Sequence, residues 1–228
     1  MKAPAVAIDG PAGSGKSTVA RLLAERLGYT YVDTGAMYRA AALAAKRAGV
    51  KASNEKDLED LMLQVDIQLN SDPNGRRIYL NHEDVSDEIR TEEAGMAASV
   101  YSRSPAVRKR LLQLQQKMAE GGGVVMEGRD IGTVVLPDAQ VKIFLDANPV
   151  ERARRRALEM RLRGLDADEK AVLDDVLRRD RQDQEREIAP LTAAPDAVKI
   201  DTTDLDIEGV IRKVMSVVKG DNPTGGNV

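Results

Sequence analysis

Cysteine and tryptophan are both missing from the 228-residue chain, and histidine and phenylalanine occur once each. Without cysteine the chain can form neither a disulfide framework, nor a cysteine-ligated zinc site, nor a thiol nucleophile. The single histidine, His82, excludes a His-rich metal centre and argues against a Ser-His-Asp triad. Because aromatic residues make up only 3% of the chain, a stacking platform for single-stranded nucleic acid is poorly supported.

Long apolar runs are also missing, since no stretch approaches the roughly 18 residues of a membrane span. The net charge of −3 gives no global reason to expect nucleic-acid binding. Hydrophobic residues at 42% and charged residues at 31% are typical of an ordinary globular protein. The length allows one large domain with or without an insert. We therefore expect a cytoplasmic protein without membrane or nucleic-acid partners.

Strand and helix patterns alternate at both ends of the chain, which predicts a parallel sheet with right-handed crossovers. The predicted strands are 3–9, 29–33, 124–127, 141–146 and 198–201, and the predicted helices are 16–27, 36–48, 149–163, 168–184 and 206–219. The middle differs, because two stretches of period-two alternation flank Asn74-Gly75, a strong hairpin signal. This predicts a small antiparallel insert at 65–90, followed by helices at 91–101 and 105–119.

One segment between a predicted strand and a predicted helix fits the pattern G-x-x-x-x-G-K-[ST]. The predicted ATP-binding set is Gly10, Pro11, Ala12, Gly13, Ser14, Gly15, Lys16, Ser17 and Thr18. Its glycines let backbone N–H groups converge on phosphate oxygens at the helix N-terminus. We expect Lys16 to neutralise β- and γ-phosphate charge and Ser17 to hold Mg²⁺ with waters and phosphates. The alternative is a glycine turn that only caps a helix.

Two further polar segments follow predicted strands, where ligands bind in an open parallel sheet. Arg39 comes about one turn into the helix after Asp33 and is placed to reach a second phosphate; the alternative is a solvated arginine. Arg129 and Asp130 stand between glycines after the strand at 124–127. They suggest a phosphate clamp and a carboxylate that reads a base, with a local ion pair as the alternative.

Arginine outnumbers lysine 22 to 12, and six arginines fall between Arg152 and Arg163. Helical spacing places one charged set on a single side of the helix, and Ala153, Ala157 and Met160 opposite. The charged set is Arg152, Arg155, Arg156, Glu159 and Arg163. A second basic helix holds Arg178, Arg179, Arg181 and Arg186 after a short break. The pair suggests a flap that closes over phosphates; a solvated face and a nucleic-acid patch are the alternatives.

Six segments together resemble the nucleoside monophosphate kinases, and most closely the bacterial cytidylate kinase family, over nearly the whole chain. They are 8–17 (Ile-Asp-Gly-Pro-Ala-Gly-Ser-Gly-Lys-Ser), 33–39 (Asp-Thr-Gly-Ala-Met-Tyr-Arg), 85–90 (Val-Ser-Asp-Glu-Ile-Arg), 128–133 (Gly-Arg-Asp-Ile-Gly-Thr), 142–147 (Lys-Ile-Phe-Leu-Asp-Ala) and 189–191 (Ala-Pro-Leu). The resemblance implies an α/β fold: a P-loop kinase core of parallel sheet and flanking helices, a small antiparallel monophosphate-binding insert and an Arg-rich helical lid. The expected core is 1–64 and 91–219 with the lid at about 150–187, the insert is 65–90, and 220–228 is a disordered tail.

The resemblance further implies transfer of the γ-phosphoryl group of ATP, with Mg²⁺, to CMP or dCMP. We expect the protein to be a monomer. It assigns Ser99, Arg108 and Asp130 to cytosine, Arg179 and Asp183 to the sugar, and Arg39, Arg129 and Arg186 to the monophosphate. Thr34 and Tyr38 complete the substrate-binding set, and Arg156 is the lid arginine. The expected catalytic residues are Lys16, Arg39, Arg129 and Arg156, and Asp33 is a candidate partner for hydrated Mg²⁺.

Two alternatives keep the phosphate loop but change the function. Another small-molecule P-loop kinase, for UMP or shikimate, would retain the donor site and alter the acceptor site. A nucleotide-binding switch or ATPase would bind ATP without phosphorylating a second nucleotide. The arginines at the strand ends argue against a switch, since they exceed what one triphosphate needs.

Overall fold

The computed structural model describes residues 2–72, 75–162 and 164–220 and divides into two units. The first unit joins the chain up to Tyr31 to the chain from Gly121 onward, and the second is Val32–Glu120. The predicted turn residue Asn74, Arg163 of the basic helix and residues 221–228 of the predicted tail lie outside the described residues. The predicted division into core, insert and lid stays a prediction.

The elements in chain order match most of the predicted strands and helices. They are β1 (Ala5–Asp9), α1 (Lys16–Leu27), β2 (Thr30–Asp33), α2 (Thr34–Arg47), α3 (Glu55–Met62), β3 (Ile67–Asp72), β4 (Gly75–Leu80), β5 (Glu83–Asp84), a 3-10 turn (Glu88–Arg90), α4 (Glu92–Tyr101), α5 (Pro105–Ala119), β6 (Val124–Gly128), a π-helical turn (Ile131–Val135), β7 (Val141–Asp146), α6 (Pro149–Leu162), α7 (Glu169–Gln184), β8 (Val198–Asp201) and α8 (Ile207–Lys219). Gly220, placed in the tail by the sequence, ends α8 in a left-handed conformation.

The main sheet has the strand order β2-β6-β1-β7-β8. Strand β1 pairs in parallel with β6 and β7, and β7 pairs in parallel with β8. In the first unit, apolar side chains of these strands pack with α1 and α8 around Ile8, Leu23, Leu145 and Ile211, each fully buried or nearly so. The carboxyl ends of β1 and β6 therefore lie side by side on a rigid core, which is where a ligand site is expected.

Helices α6 and α7 form a smaller layer of the first unit with an apolar cluster of their own. Ala153 and Ala157 of α6 pack with Val172 and Val176 of α7. Met160 is partly buried against the same cluster, so the predicted stripe on the basic helix is confirmed. None of the helices in the described part of the chain is long and apolar enough to cross a membrane.

The second unit contains the predicted antiparallel segment and the helices on either side of it in the chain. Strands β3 and β4 pair antiparallel with Ile67 opposite Leu80 and Leu69 opposite Ile78, which confirms the expected hairpin. Helix α3 is not among the predicted elements. Asn54 caps it by accepting the N–H of Asp57, and its short apolar face leaves too little periodicity to recognise.

Candidate active site

The phosphate loop of the first unit depends on glycine where other residues cannot fit. A Cβ on Gly10, whose φ is +149°, would lie 2.0 Å from the carbonyl oxygen of Leu145. Gly13 has a φ of +77°, and a Cβ there would lie 3.1 Å from the Cβ of Arg152. Helix α1 starts at Lys16 with no side-chain cap in the described structure. Its first N–H groups are therefore left for a bound anion, as the sequence pattern predicts.

Lys16 is buried beneath this loop, with 5% of its surface exposed. Its Nζ donates a hydrogen bond to the carbonyl oxygen of Pro11 at 2.6 Å and lies 3.5 Å from Oγ of Ser14. Burial, helped by the positive charge of Arg129, lowers the pKa of Lys16 to about 7 although nearby acids oppose the shift. The positive charge of Lys16 is only partly offset by neighbouring acids, and the loop around it offers backbone N–H groups. Such a site suits an anionic ligand such as a polyphosphate.

Asp9 joins the phosphate loop to the loop that carries Arg129 and Asp130. It ends β1 directly before Gly10, and its carboxylate accepts the N–H groups of Ile131 at 2.7 Å and Gly132 at 2.8 Å. Burial, with a smaller effect of Asp130, raises the pKa of Asp9 to about 6 against the lowering effect of these two hydrogen bonds. Sequence reasoning assigned Asp9 no role. A charged residue at the end of a buried strand was the available signal.

The arginines expected at the acceptor monophosphate pair with carboxylates in the first unit. Nε of Arg129 donates to Oδ2 of Asp183 at 2.7 Å, which brings together two residues predicted to contact one nucleotide. Nη2 of Arg186 lies 3.7 Å from Oδ1 of Asp130, and both side chains are largely buried. Arg186 also donates from Nε to the carbonyl oxygen of Ala189. The structure thus gathers these four candidates at the end of β6.

Arg156 and Arg179 are close enough for their charges to interact across α6 and α7. Burial, opposed by Asp175 but aided by the charge of Arg156, lowers the pKa of Arg179. Nε of Arg179 pairs with Oδ2 of Asp175 at 2.8 Å. The structure thus brings the predicted lid arginine and one of the predicted sugar-binding residues near each other in the first unit.

Arg152 corrects the interpretation of the first basic helix. Only 3% of it is exposed, and it forms an ion pair with Asp180 of α7 at 2.5 Å, so it does not lie on a solvated face or an open flap surface. Arg155 also bonds to protein groups, donating to Glu151 and to Thr202. Helical periodicity alone could not reveal these partners, because Asp180 and Thr202 lie far away along the chain.

The second unit holds the remaining candidates on α2, α4 and α5. Asp33 caps α2 by accepting the N–H of Ala36 at 2.8 Å, and it pairs with Nη2 of Arg39 at 3.2 Å. Nε of Arg39 is buried and has no hydrogen-bond partner among the described residues. The guanidinium of Arg108 lies 6.0 Å from the ring centroid of Tyr38. Arg39 thus keeps an unused donor, as a phosphate ligand would need.

The other two candidates of this unit differ in exposure. Thr34, in the first turn of α2, is buried, and Ser99 of α4 is partly exposed. Ser99 accepts a hydrogen bond at its carbonyl oxygen from the hydroxyl of Ser102. In the described residues, no group of three or more His, Asp or Glu side chains is arranged to hold a metal.

Comparison with known proteins decides the family. A family model described as cytidylate kinase matches residues 6–220. The chain belongs to the cytidylate kinase family. It is 51% identical over 216 residues to the cytidylate kinase of Pelotomaculum thermopropionicum, covering 94% of this chain and 96% of that one. It is 52% identical over 214 residues to the cytidylate kinase of Citrifermentans bemidjiense, covering 94% and 92%. The resemblance that the motifs indicate is therefore confirmed.

Similarity to solved structures concerns the fold alone. A crystal structure of an uncharacterized protein from Eubacterium ventriosum ATCC 27560 matches with a TM-score of 0.50 and 15% sequence identity. The match covers 95% of this cytidylate kinase family chain and 98% of the other. Such a likeness confirms the α/β architecture and does not bear on the substrate.

Proposed function

We propose that this chain transfers the γ-phosphoryl group of ATP to CMP or dCMP, yielding ADP and CDP or dCDP. The observation that carries the proposal is the position of Asp9. This residue leads directly into the phosphate loop, and its carboxylate also holds the loop of Arg129 and Asp130. A donor loop and a loop rich in acceptor-binding groups are thereby joined by one buried side chain, in a chain of the cytidylate kinase family.

The donor site consists of the residues 10–18. We propose that its N–H groups and Lys16 bind the β- and γ-phosphates, and that the exposed hydroxyl of Ser17 holds Mg²⁺ together with waters and phosphate oxygens. Mg²⁺ keeps several of its waters when it is bound, so a site where the protein offers one hydroxyl and few other ligands suits this ion. Bound Mg²⁺ supplies neutralisation of phosphate charge. Lys16 orients the donor, and Arg156 stabilises charge on the transferred group when the lid closes.

The transfer step needs no strong general base. An oxygen of the acceptor phosphate, already ionised, forms the new bond to the γ-phosphorus, and the bond from that phosphorus to the β–γ bridging oxygen breaks. The electron pair leaves with ADP. Arg39, Arg129 and Arg186 position the acceptor phosphate and neutralise its charge. Arg39 and Arg129 each pair with a partly exposed carboxylate in the structure, and the phosphate would replace that carboxylate as the partner.

We propose that the base is recognised by one group that can only accept hydrogen bonds and by one that can only donate them. The carboxylate of Asp130 accepts hydrogen bonds, which suits the N4 amino group of cytosine and opposes O4 of uracil. The guanidinium of Arg108 donates, which suits N3 of cytosine and opposes N3–H of uracil. Ser99 can serve either base. We assign Arg179 and Asp183 to the sugar, and Thr34 and Tyr38 complete the substrate-binding set.

The test compares kcat/KM for CMP and UMP in the wild type and in Asp130→Ala. We expect the wild type to prefer CMP by a factor of about 10⁴, because the wrong base leaves Asp130 and Arg108 unpaired. Asp130→Ala should lose CMP activity far more than UMP activity. Asp130→Asn keeps the size of the side chain and can either accept or donate a hydrogen bond. It should therefore narrow the ratio of kcat/KM for CMP to kcat/KM for UMP. Asp138→Ala, an exposed carboxylate nearby in sequence, should leave the ratio unchanged.

Two results would overturn the proposal. Equal turnover of UMP and CMP by the wild type would favour a uridylate kinase. ADP release that does not depend on any monophosphate acceptor would favour an ATPase.

We further propose that the enzyme works as a cytoplasmic monomer. We expect its ligands to be small molecules, because the acidic residues interspersed in its basic helices repel polyanions such as nucleic acid.

A further inference from the structure

Arg152, in the first turn of α6, makes its polar contacts with other described residues inside the first unit. Its Nε donates to the carbonyl oxygen of Ala147 at 2.8 Å. Its Nη1 donates to the carbonyl oxygen of Ala12 at 3.1 Å and to Oδ1 of Asp180 at 2.9 Å, and its Nη2 donates to Oδ2 of Asp180 at 2.5 Å. One planar guanidinium thus fixes three pieces of chain, of which one is the phosphate loop.

The contact with Ala12 determines the direction of a loop amide. A trans peptide is planar, so its N–H points opposite to its C=O. Because the carbonyl oxygen of Ala12 is held by Arg152, the N–H of Gly13 is turned to the other side, away from Arg152. The loop also lies directly against the arginine, since a Cβ on Gly13 would be 3.1 Å from the Cβ of Arg152 and 3.2 Å from its carbonyl oxygen.

The partner of Arg152 belongs to the second basic helix. Asp180 lies on α7 one turn before Asp183, which pairs with Arg129. Helix α7 is held in place independently by Val172 and Val176, which pack on Ala153 and Ala157. The Arg152–Asp180 pair is therefore not the sole attachment of α7 to α6. Its distinct contribution is to connect α7 with the backbone of the phosphate loop.

We propose that Arg152, held by Asp180, is a positioning residue that sets the orientation of the phosphate-loop amides for ATP. It acts through the Ala12–Gly13 peptide and does not touch the nucleotide itself. The inference rests on the proposed function only in that ATP is the phosphoryl donor. It differs from a purely structural role, in which the ion pair would stabilise the fold without affecting nucleotide affinity.

The test removes the ion pair as a whole, in Arg152→Met/Asp180→Leu. Replacing both members of a buried pair by apolar residues of similar volume commonly leaves stability unchanged or improved. Because the carbonyl oxygens of Ala12 and Ala147 also lose a donor, we expect a melting temperature near or somewhat below that of the wild type. We also expect a weaker Kd for ATP by calorimetry and a higher KM for ATP, by about 10- to 100-fold, because a small misplacement of binding groups is costly. The KM for CMP should not change.

Arg26→Met/Glu208→Leu is the matched control. In this pair Nη2 of Arg26 donates to both carboxylate oxygens of Glu208, at 2.6 and 2.8 Å, but the pair is exposed and joins α1 to α8. It should leave the affinity for ATP unchanged. If the Arg152 double variant does not fold, Arg152→Lys replaces it, since lysine keeps the charge beside Asp180 but lacks the planar fork that bridges three partners.

Wild-type affinity for ATP in a folded variant of either kind would overturn the inference. So would a loss of ATP affinity that matches the loss in the Arg26 control. Failure of the proposed function would appear separately, as a wild-type enzyme that does not phosphorylate CMP. In that case weakened ATP binding by the Arg152 variants would still support the positioning role.

Discussion

Asp9→Asn tests whether the acid that joins the two loops is ionised like an ordinary aspartate. The native carboxylate is 3% exposed and accepts N–H groups from Ile131 and Gly132. Burial first, and then the charge of Asp130, raises its pKa to about 6 from an ordinary value of 3.8. Asparagine keeps the shape of the side chain and cannot ionise, so the variant removes the titration while keeping the packing.

The magnitude follows from linkage between protonation and folding. The native state binds the proton more tightly than the unfolded chain, so the stabilisation from Asp9 is complete below pH 3.8 and is lost as the pH rises through 6. Protonation of Asp9 adds about 1.4 kcal/mol to the free energy of unfolding at pH 5 and almost nothing at pH 7. The stability of the wild type relative to Asp9→Asn should therefore increase by that amount between pH 7 and pH 5.

Urea unfolding followed by circular dichroism at pH 5, 6 and 7 measures this difference. Asp201→Asn is the control, because a hydrogen bond from the hydroxyl of Thr203 lowers the pKa of Asp201. Its difference from the wild type should be constant over this range. A gap between wild type and Asp9→Asn that does not change with pH would refute the reasoning, since Asp9 would then ionise as it does in the unfolded chain.

Two further predictions concern the donor site and the lid. Lys16→Ala should lower phosphoryl transfer by a factor on the order of 10² to 10³ without unfolding the protein. The control Arg21→Ala, on the exposed side of the same helix, should leave phosphoryl transfer unchanged. Near-normal turnover of a folded Lys16→Ala protein would contradict the assignment. Hydrogen exchange in α6 and α7 should slow when CMP and a non-hydrolysable ATP analogue are added together. Peptides from α8 serve as the reference. Equal protection with and without ligands would show that these helices do not close over the substrates.

The predictable part of the fold came from local signals. Helix α1 begins and ends at the predicted residues, because the glycine motif precedes it and Gly28 ends it in a left-handed conformation. Helix α5 follows Ser104, whose side chain accepts the N–H of Val107, and Pro105 occupies its first turn. Caps and glycines act within a few residues, so a single sequence contains all that is needed to locate them.

The unpredicted part depends on contacts between distant positions. The side chain of Asp9 bonds to residues more than 120 positions away, and the partner of Arg152 lies 28 positions further along the chain. Neither contact leaves a periodic pattern. A charge at the end of a buried strand was the only indication available for Asp9, because a buried charge must find a partner. Arg152 offered none, since helical spacing placed it on the charged side of its helix.

Under the proposed roles, exposure separates the ion pairs of Arg129 and Arg39, which would exchange with substrate, from the pair of Arg152, which would not. Arg129 and Asp183 are 28% and 23% exposed, and Arg39 and Asp33 are 29% each. Pairs that water reaches in this way are worth about 1 kcal/mol or less, so a doubly charged phosphate can displace the carboxylate at small cost. Arg152 and Asp180 are 3% and 14% exposed, and breaking a buried pair costs about 3–5 kcal/mol.

The same difference explains why the carboxylates beside the proposed phosphate-binding arginines do not argue against that role. An arginine side chain without a partner would lose rotamer entropy when substrate binds. Asp183 and Asp33 hold their arginines near one geometry beforehand, and each gives up only a weak interaction when phosphate arrives. Under the proposed roles, a permanent pair at Arg152 would keep the donor loop ordered, while exchangeable pairs at Arg129 and Arg39 would let acceptor and product come and go.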